Sequence, residues 1–598
     1  MKKIIYLFSI ILLLSTCNDD FMDRQPKTEI GVERFFNTEE DLKMYIYGLY
    51  NFSGHGMYAA DGGTDNQATT SGSVEIKNIM TANNPSSTTI TSGWSWGRLR
   101  DINLFLANVE RAQVSPDVKA HYEGIARFFR ARFYMDKVKR YSDVPWYDKV
   151  IETNDQEALF KGCDSRDFVI GKIFEDYQFA AENVKTGQPS GAIDKWGVLA
   201  FFSRDALYEG TYRKYHPELN LASSANIYLQ MARDAAKRVM DNGQFSIYST
   251  GNPDKDYLSL FRSGDLSSNP EIILATFYDP KEVKAGTSEW NFGNYEPSPA
   301  KDLVQNYLMN DATFYSAQQG YQTRQFVEEF KNRDPRLSQT YAYPGWELVQ
   351  TATYVSGAGI YVQQFNKNFT GYHLIKGFAN NREADVYNDL DYPVLRYAEV
   401  LLNYAEAKAE LNEFTQSDVE ISLNLLRRRV AMPDFNMNPT VDPLSAAKFG
   451  NISALLHEIR RERRVELAFE GFRFDDLMRW HAGKVLEKVP EGLYFPSLGK
   501  FDLNGDGVED AYLIPSSQSI PADADKEVNS KGVKLVYYRT GGIDDSNATV
   551  YLANSTSGNI VAAKDMGIFV EPQFYYRPIP IQQITLNPAL GPQLFGWK

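Results

Sequence analysis

Two cysteines in 598 residues leave no basis for a disulfide framework, and if Cys17 is committed elsewhere Cys163 has no partner. Cys163 then reads as a buried apolar residue. Six histidines are too few to predict a histidine-built metal cluster. His457-Glu458 opens like a zinc-protease motif, but its fifth position is Arg461 rather than histidine. There is no Walker A loop and no full Gly-x-Gly-x-x-Gly. After the first 14 residues no stretch is long and apolar enough for a membrane helix. Positive charge is also in deficit: the net charge is -14 and the pI about 5.2, so the chain repels nucleic acid and anionic membrane surface.

Residues 1–16 carry an address instead of structure. Lys2 and Lys3 precede the apolar run Ile4–Leu14, interrupted only by Ser9, which has the length and charge of a secretory signal. The run ends in Leu14-Ser15-Thr16-Cys17, similar to a bacterial lipobox, with Thr16 where glycine, alanine or serine is usual. Such a signal lipidates the cysteine, and stable anchoring needs more than one acyl chain. Asn18, Asp19 and Asp20 then resemble a surface-export signal. The expected location is the outer membrane, lipid-anchored at Cys17 and facing the cell exterior.

Hydrophobic residues make up 43% of the chain, enough for a large core and against wholesale disorder. Periodicity predicts mainly helix. Thr38 caps a helix over 39–51, with Asp41 three residues on. Residues 98–112 and 117–141 form a pair joined at Ser115-Pro116. In the second, Ile125, Phe128, Phe129, Phe133 and Val138 make an apolar stripe with Arg132 interleaved. Residues 165–186 and 193–213 make a second pair, and 225–243 a further helix. Antiparallel pairs of this kind resemble tetratricopeptide repeats without their clean consensus. From about 245 to 390 glycine, proline and aromatics rise and periodicity fades. Helices return at 393–412, 416–430 and 450–482, and 485–577 is loop-rich with strand-like runs such as Val533–Tyr538. The expectation is one mature globule over 17–598, a helical scaffold with a loop-rich layer and few short strands.

Several separated motifs carry a family resemblance. Residues 396–407 read RYAEVLLNYAEA, 458–480 read EIRRERRVELAFEGFRFDDLMRW, 330–337 read FKNRDPRL and 578–590 read PIPIQQITLNPAL. ARFFRARFYMDKVKRYSDVPW at 126–146 and NPEIILATF at 269–277 lie among them. In order and spacing they resemble the RagB/SusD family over nearly the whole mature chain, with an N-terminal part to about 245 and a C-terminal part beyond. Glu458, Glu462, Glu466 and Glu470 fall four apart and stack on one helical face, where like charges repel. Arg460, Arg461, Arg463 and Arg464 are expected to offset them in an ion-paired structural helix. Guanidinium neighbours lower carboxyl pKa values, the wrong direction for the general acid of a glycoside hydrolase.

The resemblance implies capture of oligosaccharide and its delivery to a SusC-like TonB-dependent transporter, with no bond broken. A peptide-binding subunit on the same fold and a surface adhesin are the alternatives. Sugar rings present apolar C–H faces rimmed with hydroxyls, which aromatic faces and polar side chains match. The 37 tyrosines and 36 phenylalanines suit such stacking. Trp94 and Trp96, in a Ser/Thr/Gly-rich stretch, are the first candidates. Trp290, Tyr295 and Trp346, in the irregular middle, are the second, and Asp65 and Asn66 of the run 61–66 could add hydrogen bonds. Trp196 and Trp480 read as core. Residues 502–510, DLNGDGVED, resemble the first half of an EF-hand loop. Asp502, Asn504, Asp506, the Val508 carbonyl and Asp510 sit at its ligand positions, but Leu513 stands where the bidentate glutamate belongs. Calcium bracing that loop is the one cofactor expectation.

Overall fold

The computed structural model describes residues 35–69, 74–279, 281, 292, 298–348, 359–380 and 389–598. Cys17 with its acidic followers, Trp290 and Tyr295 lie outside them. Helices dominate, as periodicity predicts. Helix α1 spans Glu39–Gly48. The Thr38 hydroxyl accepts the Asp41 N–H and the Asp41 carboxylate accepts the Thr38 N–H, a reciprocal cap that satisfies two otherwise orphaned donors. There follow α2 (Gly97–Asn108), α3 (Pro116–Tyr141), α4 (Arg166–Asn183), α5 (Lys195–Tyr215) and α6 (Ala225–Asp241). Pro116 sits in the first turn of α3, where its missing N–H costs nothing. Consecutive members of this series from α2 to α6 pack on one another.

The second half departs from the periodic reading in three places, the smallest at 416–430, which divides into Gln416–Glu420 and Leu423–Arg429. The stretch over 393–412 begins as a strand, Tyr392–Arg396, and only Tyr397–Glu410 is helix (α7). Pro393 disfavours helical backbone at the residue before it. The buried run pairs antiparallel with strand β1 (Ile272–Thr276), so Tyr392–Arg396 is β2. Val394 and Leu395 therefore belong to a sheet. The stretch over 450–482 breaks into α8 (Ala454–Glu466) and α9 (Arg473–Arg479), separated by positive φ at Phe469 and Gly471. A four-stranded sheet late in the chain runs β6 (Val550–Tyr551), β5 (Val536–Gly541), β4 (Ala511–Pro515), β3 (Gly499–Phe501), with only β3 and β4 antiparallel. One contiguous apolar cluster reaches from Phe36 to Trp597. The C-terminal segment returns to the first helices: the Arg577 N–H donates to the Arg140 carbonyl at 2.7 Å, and the Ser87 hydroxyl to the Lys598 carbonyl at 2.6 Å. No helix among the described residues is long and apolar enough to cross a membrane.

The glutamate face of α8 is buried, with Glu462 and Glu466 fully enclosed. Its partners differ from the expected ones. Within the helix only Arg461 pairs back, onto Glu458. Glu462 takes Arg336 at 2.6 Å and Arg427 at 2.9 Å. Glu466 takes Arg429 at 2.6 Å, Arg396 at 2.7 Å and Arg336 at 3.0 Å. Glu470 takes Arg396 and Lys376, each at 2.7 Å. The helix's own Arg460, Arg463 and Arg464, all buried, turn away from the ladder to Glu410, Asp476 and Asp302. Glu458, Glu462 and Glu466 share one face of α8, whereas Glu470 lies beyond the helix end, past the positive φ of Phe469, so the expected four-membered helical stack stops at three. Three of the arginines lie off that face, and cations from other segments meet the acids. Burial alone would raise these carboxyls, but the guanidinium groups outweigh it: Glu462 is held at about 2, and Glu458, Glu466 and Glu470 are also lowered. The separated sequence motifs thus meet at one charge-neutralised layer.

Candidate ligand-binding site

One long helix face builds the site. On α3, Phe129, Arg132, Phe133, Asp136, Lys139 and Arg140 fall at helical spacing and line a cavity of about 770 Å³. Phe201, Arg204 and Tyr208 of α5 and Phe472, Phe474 and Asp475 around α9 close it from other sides. The volume lies within the usual range for small-ligand pockets. Guanidinium groups lie over the rings of its wall: Arg132 is 4.5 Å and Arg204 4.7 Å from the Phe201 ring centre, and Arg204 is 4.8 Å from that of Phe472. Each cation is tethered: Arg132 to Asp205 at 3.0 Å, Arg204 to Glu399 at 2.6 Å, Lys139 to Asp475 at 2.8 Å. Glu75 bridges Arg140 and Arg577, which hold its carboxyl at about 2 against the effect of burial. Asp136 differs. It is open to solvent within the cavity, yet enclosure by protein pushes its carboxyl up, with Arg132 and Lys139 pulling the other way.

Trp94 and Trp96 stand at the other side of the same helix. Both are half-buried, 5.3 Å apart and edge-to-face. Trp94 packs on Tyr141 at 4.8 Å and Trp96 on Phe133 at 5.6 Å, so Phe133 borders both the tryptophan pair and the cavity. The loop before α2 is fastened to α3 by three donors. Lys137 Nζ reaches the Gly93 carbonyl at 2.5 Å, and Arg140 and the Tyr141 hydroxyl reach the Ser92 carbonyl at 3.1 and 3.0 Å. Gly93 has φ 91°, and a Cβ there would come within 2.5 Å of Arg140 Nε and 2.9 Å of the Tyr141 hydroxyl. The two indoles are therefore held in place before any ligand arrives. Gly93-Trp94-Ser95-Trp96-Gly97 also has the spacing of a hydrolase nucleophile elbow, but residues 82–96 leading into α2 contain no strand and Ser95 is exposed in that loop.

Three expected contact residues lie elsewhere. Trp346 is 5% exposed, in a satellite apolar cluster with Phe292, Leu348, Tyr361, Ile375 and Phe378. Aromatic enrichment in the irregular region there builds a small core. Asp65 is buried against Arg473 at 2.7 Å, Lys448 at 2.9 Å and Arg464 at 3.0 Å. Asn66 is buried between Asp61 and Arg464, at 2.8 Å from each. Both belong to the charge layer around α8, with their polar atoms already engaged. Trp480 is core as expected and donates its indole N–H to Glu406 at 2.7 Å; Trp196 packs partly buried against the core. Cys163 is a free, half-buried thiol pushed up to about 12 by burial, which removes nucleophilic thiolate at neutral pH. The interleaved rings and guanidinium groups of α3 read in sequence as an apolar helix stripe, and that this stripe walls a cavity is a finding of the structure. Its closure by residues 201–208 and 472–475 carried no local signal.

Residues 502–510 join β3 to β4. Asp502 accepts the N–H groups of Asn504, Gly505 and Gly507 at 2.7–3.1 Å. Asp510 accepts those of Leu503 and Asn504 and the Asn504 amide at 2.9–3.1 Å. Asp506 accepts the Val508 N–H at 2.9 Å and Lys531 Nζ at 2.5 Å. Burial, with a smaller contribution from Asp502 and Asp506 nearby, pushes Asp510 up to about 6. The all-oxygen donor set suits a hard cation, whereas Lys531 competes with one.

A family model described as "SusD family" matches residues 230–597. SusD-like protein P38 of Formosa agariphila is 22% identical over 510 residues, covering 80% of this chain and 91% of its own. SusD-like protein P2 of the same organism is 24% identical, covering 86% and 96%. Among solved structures, a SusD-like protein from Bacteroides fragilis aligns with TM-score 0.65 at 20% identity, covering 96% of this chain and all of its own. A SusD-like carbohydrate-binding protein from the same species aligns at 0.64 with 22% identity over 93% and 100%. A structure with xylogluco-oligosaccharide aligns at 0.56 with 16% identity over 93% and 99%.

Proposed function

Because this chain belongs to the SusD family, we propose that it is a cell-surface lipoprotein that captures oligosaccharide and delivers it to a SusC-like TonB-dependent transporter. The observation that carries the reading is the pinned Trp94–Trp96 pair sharing Phe133 with the ring- and charge-lined cavity. Paired indoles offer stacking faces to sugar C–H surfaces, and tethered Arg and Asp groups offer a hydroxyl-binding rim. Held in place, they lose little entropy on binding. The protein acts by binding and movement, without catalysis. Of the four cavity carboxyls, Glu75, Glu470 and Asp475 are each paired with a cation, at 2.6, 2.7 and 2.8 Å, and only Asp136 has its carboxyl raised, whereas glycoside hydrolysis needs a raised acid facing a second, free carboxylate across the sugar. Lipidation at Cys17 anchors the chain in the outer membrane, with its bulk outside.

Isothermal titration of the mature chain against a panel of oligosaccharides tests this. Trp94→Ala and Trp96→Ala should each weaken the preferred glycan at least tenfold, about 1.4 kcal/mol. Unchanged affinity would remove the tryptophans from the site, and binding to peptide pools alone would favour the peptide-binding alternative. Loss of acyl mass and of membrane attachment in Cys17→Ala tests the anchor, and co-purification with the transporter barrel tests the partner. Calcium is proposed at Asp502, Asn504, Asp506, Val508 and Asp510 as a brace for the β3–β4 loop. Calcium added to the chelator-treated chain at a hundredfold its Kd should stabilise it by about 2.7 kcal/mol. Absence of any rise in Tm would leave the hydrogen-bonded turn as the loop's whole support.

A further inference from the structure

We infer that His216, Glu218 and His481 form a binding site for a borderline divalent metal ion of the zinc class. They are 265 residues apart at the extremes, yet one ligand atom from each lies within 4.8 Å of the others. His216 follows the last turn of α5 and Glu218 the residue after next, while His481 follows α9. The site therefore ties the N-terminal helices to the signature region.

The hydrogen bonds of His216 supply the main reason. The ring is wholly buried and stacks on Tyr212 at 3.7 Å. Its Nε2 lies 2.8 Å from the Met478 carbonyl oxygen, which only accepts, so Nε2 carries a hydrogen. In the neutral ring Nδ1 is then a bare lone pair, 2.8 Å from Glu218 Oε1. That oxygen also accepts the Tyr576 hydroxyl at 2.9 Å. Two acceptors face each other, and a cation between them resolves the conflict. A proton on Nδ1 would do so as well, but it would satisfy only this pair, whereas a ligand atom of His481 also lies within 4.8 Å of both groups. A metal ion uses both lone pairs.

The surroundings match what a metal site needs. The Met478 carbonyl fixes the tautomer and orientation of His216, and Tyr576 orients Glu218. The His481 ring lies 4.8 Å from that of His216, on a residue with φ 55°, a backbone region uncommon for residues bearing a Cβ. Its Nδ1 is 3.6 Å from Glu571 Oε1, which accepts the Tyr575 hydroxyl at 2.6 Å. Two imidazoles and a carboxylate suit zinc, with a fourth position left for water or Glu571. The side chains of His481 and Glu218 are 28% and 15% exposed, so solvent reaches the site.

The test uses the full mature chain, stripped with chelator and dialysed against zinc, then against cobalt(II) as a spectroscopic probe. One equivalent of zinc should remain by elemental analysis, and the cobalt form should show visible bands of a nitrogen- and oxygen-ligated ion. His481→Ala, at a partly exposed position, should bind zinc more than about 100-fold more weakly, and Glu218→Gln at least about tenfold. Zinc should raise the Tm of the wild type and leave that of His481→Ala unmoved. The site is overturned by a folded wild type without stoichiometric zinc, by His481→Ala binding as tightly, or by thiolate charge-transfer bands that assign the ion to a cysteine.

Discussion

The layer around α8 and the cavity wall of α3 are built from the same materials, arginine, carboxylate and aromatic ring, and use them in opposite ways. Around α8 every glutamate of the ladder is enclosed by cations, Glu466 by three of them. Removing any member would strand the others in a low-dielectric interior. Along α3 the cations are tethered from behind while their other faces border open space, and Asp136 keeps a carboxyl in solvent. A closed charge network specifies how segments assemble, whereas an open one can offer unspent hydrogen bonds to a ligand.

The sharpest way to break this comparison is to delete one member on each side. Glu466→Gln should cost about 3–5 kcal/mol in urea unfolding, because three guanidinium groups lose their common partner. A loss under 1 kcal/mol would mean the layer is far less coupled than its distances imply. Acid should act on the layer next. The carboxyls of Glu462 and Glu406 are each held at about 2, against an ordinary 4.5. A depressed folded pKa contributes stability that is present above pH 4.5 and lost as pH falls toward 2. Unfolding monitored by circular dichroism should steepen across that window, and Glu466→Gln should shift it to higher pH.

Smaller effects are expected on the cavity side. Gly93→Ala forces a Cβ into a left-handed position against Arg140 and should cost at least about 1 kcal/mol. It should weaken oligosaccharide binding by more than it lowers Tm in relative terms, because it displaces Trp94 and Trp96 together. Asp136→Asn should change stability by no more than about 0.5 kcal/mol, and in the favourable direction. Its carboxyl is raised, so ionisation works against the fold and a neutral amide removes that penalty. The same substitution should lower oligosaccharide affinity, measured by titration. If Asp136→Asn destabilised the chain as much as Glu466→Gln, the two regions would be one kind of network.

Local signals in the chain were sufficient for several elements. Thr38 and Asp41 announce the cap of α1, Pro116 the start of α3, and the repeated apolar spacing the series from α1 to α6. These depend on neighbours within one or two turns, and such neighbours are visible in sequence. The same spacing misread 393–396 as helix, because a fully buried strand alternates no more clearly than a buried helix turn. Trp346 shows the limit for side chains: an aromatic residue in an irregular stretch reads alike whether it faces a ligand or a satellite core.

Local sequence was enough for the helical class, the order of the motifs and the need of the Glu458–Glu470 run for cationic partners. Only the tertiary structure decided which charges meet. The ladder is neutralised chiefly by Arg336, Arg396, Arg427 and Arg429 from other segments, while the helix's own Arg460, Arg463 and Arg464 serve acids elsewhere. It likewise brought together His216 and His481, two of only six histidines, which no local pattern connects. Periodicity follows from the geometry of one backbone turn, whereas partner choice follows from how distant segments are packed.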